Sequence, residues 1–198
     1  MTATKLDRSF YRRDARIVAR ALLGKYLVHQ SSAGRLSGRI VETEAYLGVE
    51  DAASHAFHGR TPRTDVMFGE GGHLYVYFTY GMHWLMNAVT GREGTAGAVL
   101  FRAMEPVEGI EQMTANRGGK EPRLLTSGPA RLSKAFGIDG AFNKEDLCGD
   151  LVWIEDRADT VKPSQVVVTK RIGVDNAREW KDRELRFYLA GSPFVSRK

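Results

Sequence analysis

The segment "HLYVYFTYGMHWLMNAV", residues 73 to 89, constrains the fold more than any other stretch of this chain, because its apolar and aromatic residues keep a period of two on both sides of a glycine. A strand turns successive side chains to opposite faces, so Tyr75, Tyr77 and Thr79 share one face while Leu74, Val76, Phe78 and Tyr80 share the other. Past Gly81 the alternation resumes, with His83, Leu85 and Asn87 on one side and Trp84, Met86 and Ala88 on the other. The pattern predicts a β-hairpin that turns near Tyr80 and Gly81, with Tyr80 at or beside its tip. One face reads as core and the other as a floor lined with rings.

The flanking segments extend this reading. "RDARIVARALLG" predicts a helix capped by Asp14 and stopped by Gly24, with Ile17, Val18, Ala21 and Leu22 on its inner face. "KYLVHQSSAGRLSGRIVETEAYLG" predicts two strands joined by a turn, the second running from Leu36 to Ala45 and presenting Glu42 and Glu44 on one face. Residues 48 to 72 are glycine-rich and weakly periodic, which predicts a functional loop with at most a short helix. "AGAVLFRAMEP" reads as a strand with Leu100, Arg102 and Met104 on one face, followed by a helix from Pro106 to about Asn116. A further helix begins near Ser127, takes Pro129 in its first turn and closes at Gly137, and its N-terminus beside Arg131 suits a phosphate. "LVWIE", "SQVVVTKRIGV" and "LRFYLAG" read as short strands, with Tyr188 placed in the core. Interspersed helices and hairpin-linked strands predict an α+β fold. The expected architecture is one compact domain over residues 1–198, with a curved, largely antiparallel sheet, surrounding helices and a protruding hairpin.

Several classes of function are excluded or weakened by what the sequence lacks. Cys148 is the only cysteine, so there is no internal disulfide and no multi-cysteine zinc site, which fits a reducing, cytoplasmic setting. The N-terminal residues carry charges throughout and form neither a signal peptide nor a membrane span. His55, His58 and His73 have no ligand spacing typical of zinc, and no metal or other cofactor is expected. "FGEGGHLY" lacks the lysine and hydroxyl residue of a phosphate-cradling loop, and neither a serine elbow nor a zinc deaminase signature occurs. A net charge of +5 favours a polyanionic partner.

Glu42 and Glu44 stand two residues apart on one strand with Tyr46 at the next position of the same face. They read either as a rim of solvated carboxylates or as a base beside a stacking platform. Burial raises a carboxylate's pKa toward neutrality, and a nearby arginine keeps it ionised and oriented. Arg102, an arginine amid an apolar run, is a candidate for that partner, or for a structural ion pair with another acid.

Taken in order, "RIVETEAYLG", "EDAASHAFHGRTPR", "LYVYFTYGMHWLMN", "LFRAMEP", "SGPARL" and "GSPFVS" resemble the alkyladenine (3-methyladenine or methylpurine) DNA glycosylase family over roughly residues 14 to 196. That resemblance implies an enzyme of base-excision repair that flips alkylated or deaminated purines from double-stranded DNA and hydrolyses the N-glycosidic bond. It implies that Glu44 is the general base that activates water, with Arg102 and the backbone carbonyl of Ile172 helping to hold that water, and Glu42 as a supporting carboxylate. Tyr46 would stack on one face of the flipped base, with Tyr77 and His55 on the other. The main-chain N–H of His55 would bond the purine 6-position, and Asn87 would crowd the 2-amino group of normal guanine. Tyr80, with Met82 beside it, would enter the duplex in place of the flipped nucleotide, and Arg60, Arg63 and Arg131 are candidate phosphate contacts. The expected species is a metal-free, monofunctional monomer, cytoplasmic and associated with the nucleoid, which leaves an abasic site. Two other readings use the same residues: a non-catalytic binder of damaged or single-stranded nucleic acid, and a hydrolase of free nucleosides acting through Glu42 and Glu44.

Overall fold

The computed structural model describes residues 3–197. In chain order the elements are β1 (Thr4–Lys5), α1 (Arg8–Tyr11), α2 (Ala15–Leu22), β2 (Tyr26–Ser31) and β3 (Gly34–Tyr46). A long connection follows, containing single 3₁₀ turns at Gly48–Glu50, His55–His58 and Asp65–Phe68. The hairpin is β4 (Leu74–Thr79) and β5 (His83–Thr90), and β6 (Gly97–Glu108) returns through the sheet. Then come α3 (Ile110–Asn116), α4 (Pro122–Leu125), α5 (Pro129–Phe136), β7 (Val152–Asp156), β8 (Val166–Thr169) and β9 (Arg186–Leu189).

Every strand pairing is antiparallel, in the order β1-β7-β2-β3-β6-β5-β4, with β9 added to β3 and β8 to β9. The centre is β3. One of its edges is lined from Ser37 to Tyr46 by β6, while the other is shared in succession by β2, along residues 34–39, and β9, along residues 42–44. The change of partner coincides with register shifts on both sides of Glu42. Such bulges bend a strand and re-aim its side chains, and the carboxylates of Glu42 and Glu44 lie at or just past them.

Local chemistry explains α2. Asp14 accepts the backbone N–H of Arg16 at 2.8 Å, a cap that contributes about 1 kcal/mol. Gly24 has φ +82°, a backbone that side chains disfavour, and directs the chain into β2. The buried stripe is Ala15, Val18, Ala19 and Leu22. Ile17 is 54% exposed and Ala21 only half-buried, so the inner face is rotated from the expected one. The small side chains of Ala15 and Ala19 let α2 approach the sheet closely enough for Thr43 to donate its hydroxyl to the Ala19 carbonyl. Full burial of a residue such as Leu22 stabilises the fold by roughly 1.5–3 kcal/mol.

Three further expectations are corrected. Pro106 does not open a helix: it lies in β6 opposite Gly38, near a register shift, where a missing N–H is tolerated. The helix starts instead at Ile110 behind Gly109. Helix α5 is preceded by Gly128 rather than capped by Ser127, and Tyr188 is half-buried, its ring beneath the Arg186 guanidinium rather than in the core.

The hairpin has the expected two faces. Leu74, Val76, Met86 and Ala88 enter the main core with the inner face of α2, and Trp84 packs against it. Tyr75 instead joins a smaller cluster under the 48–72 connection, with Tyr77 against it. Because β5 pairs with β6 only from Asn87 to Thr90, the outer half of the hairpin projects beyond the sheet. No helix among the described residues is long and apolar enough to cross a membrane.

Candidate active site

The bulged end of β3 carries two carboxylates into the interior, and each is held differently. Glu42 is fully buried, and its Oε1 accepts from Nε of Arg102 (3.0 Å), Nε of Arg186 (2.7 Å) and the Ser196 hydroxyl (3.0 Å). Its Oε2 accepts the backbone N–H of Ser196 at 2.7 Å. A carboxylate so occupied is a structural anion that orients arginines. The rim reading of Glu42 and Glu44 is thereby overturned, since neither side chain touches solvent.

Glu44 Oε1 accepts the Ile172 N–H at 2.8 Å and faces Arg102 Nη1 at 3.1 Å, and its Oε2 accepts the Tyr46 hydroxyl at 2.9 Å. Burial pushes the Glu44 carboxyl above its usual range, opposed by Arg102, the Ile172 amide and the Tyr46 hydroxyl and reinforced by Glu42. A carboxylate offers about four lone-pair positions. Three donors leave one acceptor position, on Oε2. The backbone N–H of Ile172 is thus committed to Glu44.

Beyond these carboxylates opens a cavity of about 310 Å³, lined among others by Tyr46, His55, Tyr77, Asn87, Arg102 and Ile172. This is within the usual range for small-ligand sites, roughly 300–1,000 Å³. The Tyr77 ring lies 4.5 Å from the His55 ring, edge to face, and 5.3 Å from Tyr75. Tyr75, buried behind them, shares a 2.9 Å hydrogen bond between its hydroxyl and Nδ1 of His55. The packed rings and the Arg63 guanidinium disfavour the imidazolium and lower the His55 pKa to about 4. Asn87 is buried on β5 and donates from Nδ2 to the Tyr75 carbonyl at 3.1 Å, which fixes its amide in the cavity wall.

At the cavity mouth stands Tyr80, 82% exposed, with Met82 69% exposed next to it. Tyr80 has φ +52°, uncommon for a bulky residue, and this conformation holds the ring at the hairpin tip. Arg63 lies 5.3 Å from the Tyr77 ring, Arg60 is paired with Asp65 at 2.9 Å, and Arg131 bonds the Ser127 carbonyl and hydroxyl at 3.3 Å. None of the three lines the cavity itself: Arg63 stands over the Tyr77 ring, Arg131 lines a second opening between the hairpin and α5, and Arg60 is engaged on the surface.

Among the described residues no three His, Cys, Asp or Glu side chains gather as metal ligands, and His73 bonds the Glu70 carbonyl. The sequence reading missed four participants: Arg186, Ser196, Asp51 and Arg171. Arg186 carried the same signal as Arg102, a charge within an apolar strand. Asp51 and Ser196 lie within the stretches "EDAASHAFHGRTPR" and "GSPFVS" quoted for the resemblance but were given no role there, and Arg171 had no local pattern to betray it.

Comparison with known proteins gives this geometry a context. Residues 9–193 match the model of the methylpurine-DNA glycosylase family. A protein of Desulfitobacterium hafniense (strain Y51) is 47% identical over 203 residues, covering 98% of this chain and 99% of its own. One from Chlorobaculum tepidum is 47% identical, with 98% and 91% covered, and one from Carboxydothermus hydrogenoformans 49%, with 98% and 99% covered. All three are provisionally named as 3-methyladenine DNA glycosylases.

Proposed function

Since this chain belongs to the methylpurine-DNA glycosylase family, a family of N-glycosyl hydrolases, we propose that it is a monofunctional enzyme that excises damaged purines from duplex DNA and leaves an abasic site. The observation that carries the reading is the Glu44 carboxylate, buried beside a ring-walled cavity with one acceptor position uncommitted.

In this reading the damaged nucleotide leaves the stack and its base enters between Tyr46 and the Tyr77/His55 pair. Extrusion costs a few kcal/mol, and each aromatic stack returns roughly 1–3 kcal/mol, so the rings approximately offset it. Tyr80, projecting with Met82, occupies the gap in the helix. Water bonded to Oε2 of Glu44 loses its proton to that carboxylate as its oxygen attacks the anomeric carbon, and the bond to the purine nitrogen breaks with its electrons on the base. Arg102 keeps Glu44 ionised and stabilises charge at the site. A 3- or 7-methylpurine is cationic and leaves as a neutral base. Neutral lesions need a hydrogen bond or proton at the purine, a role this reading gives to the main-chain N–H of His55. The acting species is a monomer in the cytoplasm, concentrated on DNA.

Incubation with duplexes that each bear one defined purine lesion, scored for free base and for alkali-labile strand, tests the proposal. Release of base with an intact but alkali-labile strand is expected. Retention of every base would refute it, and release from free nucleosides as well would favour a nucleoside hydrolase.

A further inference from the structure

Tyr46 has two faces, and only one of them is available to a base. Against the other lies Arg171, its guanidinium carbon 4.7 Å from the ring centre. Arg171 is fully buried and does not line the cavity. Its Nη1 donates to Asp51 Oδ2 (2.5 Å) and to the Ala45 carbonyl (2.9 Å), and its Nη2 donates to Asp51 Oδ1 at 2.9 Å. Asp51 is itself fixed, accepting the backbone N–H groups of Leu47 and Ala53 at 3.1 and 3.0 Å. Such a fork pairing holds the guanidinium plane rigidly. The order through the site is therefore carboxylate of Asp51, cation of Arg171, ring of Tyr46, cavity.

An aromatic face attracts cations through its negative quadrupole. A cation held permanently on one face draws on that charge distribution and repels a second cation on the opposite face. Between groups as buried as these the repulsion is weakly screened. The Asp51 carboxylate lies behind the guanidinium and reduces the effect without cancelling it. Resting on the excision reading above, we propose that Arg171, set by Asp51, is a specificity-determining residue for base charge. It lowers the advantage that cationic alkylpurines would gain from stacking on Tyr46, and so lets neutral purine lesions compete for the same cavity.

The test is a ratio, which cancels any general loss of positioning. Single-turnover release is measured for cationic 7-methylguanine and neutral hypoxanthine in otherwise identical duplexes, with wild type and Arg171→Gln, Asp51→Asn and Arg171→Lys. The ratio of cationic to neutral release is expected to rise by about three- to tenfold in Arg171→Gln. It falls by a similar factor in Asp51→Asn, where the guanidinium is uncompensated, and stays within about twofold of wild type in Arg171→Lys even as both rates drop. Equilibrium binding of the same duplexes in a Glu44→Gln background reads the same ratio without chemistry. If wild type releases neither base, the excision reading fails while the binding ratio still judges the role of charge. If Arg171→Gln does not fold, the other two variants decide. A ratio that is unchanged across the folded variants, or that moves in the opposite sense, overturns the proposal.

Discussion

The hydroxyl of Tyr46 donates a 2.9 Å hydrogen bond to Oε2 of Glu44, two residues earlier on the same strand. In the proposed mechanism one side chain thus serves twice, its ring for stacking and its oxygen for tuning Glu44. The donor favours ionised Glu44, against the burial that raises its pKa. A neutral-to-charged hydrogen bond is worth roughly 1.5–3 kcal/mol, and one pKa unit corresponds to about 1.4 kcal/mol. Tyr46→Phe keeps the ring and loses the donor. It is expected to shift the acid limb of the pH–rate profile upward by about one unit, measured by single-turnover base release; an unshifted limb would contradict the general-base assignment.

Glu44→Gln separates catalysis from binding. Base release should fall by about 10²–10⁴-fold while lesion duplexes still bind. Stability should not fall with it. A buried carboxyl with a raised folded pKa contributes stability that is present below its unfolded pKa and lost as pH rises through the folded value. A glutamine amide carries no charge to desolvate, so it escapes the burial penalty that raises the Glu44 pKa, and Tm in thermal scans should be equal or higher wherever Glu44 is ionised.

Glu42 should behave in the opposite way. Its removal strands Arg102 and Arg186, both buried, without their shared carboxylate. Breaking a buried ion pair from one side costs about 3–5 kcal/mol. Glu42→Ala is therefore expected to unfold at markedly lower denaturant concentration, a loss that Glu44→Gln does not share.

Tyr80→Ala removes an exposed ring that packs on little in the protein. Chemical denaturation should show a change within about 0.5 kcal/mol. Affinity for lesion duplex should weaken by roughly 1–3 kcal/mol, the value of one base–aromatic stack, in binding titrations at fixed salt. An unchanged affinity would place the hairpin tip outside the DNA interface.

His55 supplies a pH check of the cavity itself. Its pKa is lowered to about 4 by burial among the rings and by Arg63. A depressed histidine contributes stability above its unfolded pKa, near 6.5, and loses it as pH falls toward 4. NMR titration of its ring should show a midpoint near 4 and no inflection near 6.5, and His55→Asn should remove this acid-side loss.

Much of the site was legible because it is local. The period of two around Gly81 placed Tyr77 and Asn87 on the cavity face and Tyr80 at the tip. The same alternation brought Glu42, Glu44 and Tyr46 to one side of β3, and the Asp14 cap and Gly24 stop bounded α2. Ile17 misled because hydrophobicity alone does not choose which apolar stripe faces a sheet, and small alanines won for close approach. Pro106 misled because its fixed φ suits a helix start and a strand end alike.

By itself the sequence determined periodicity, caps and turns, and hence the hairpin, the α+β class and the family to which the chain belongs. Tertiary structure alone decided how each carboxylate is held. Glu42 is saturated by Arg186 and Ser196, 144 and 154 positions away, and Tyr46 is backed by an Arg171 whose partner Asp51 lies 120 positions from it. Backbone preferences act over a few residues and can be read in order along the chain. The state of a buried charge depends on every donor that folding brings within about 3 Å, and nothing along the chain records those meetings.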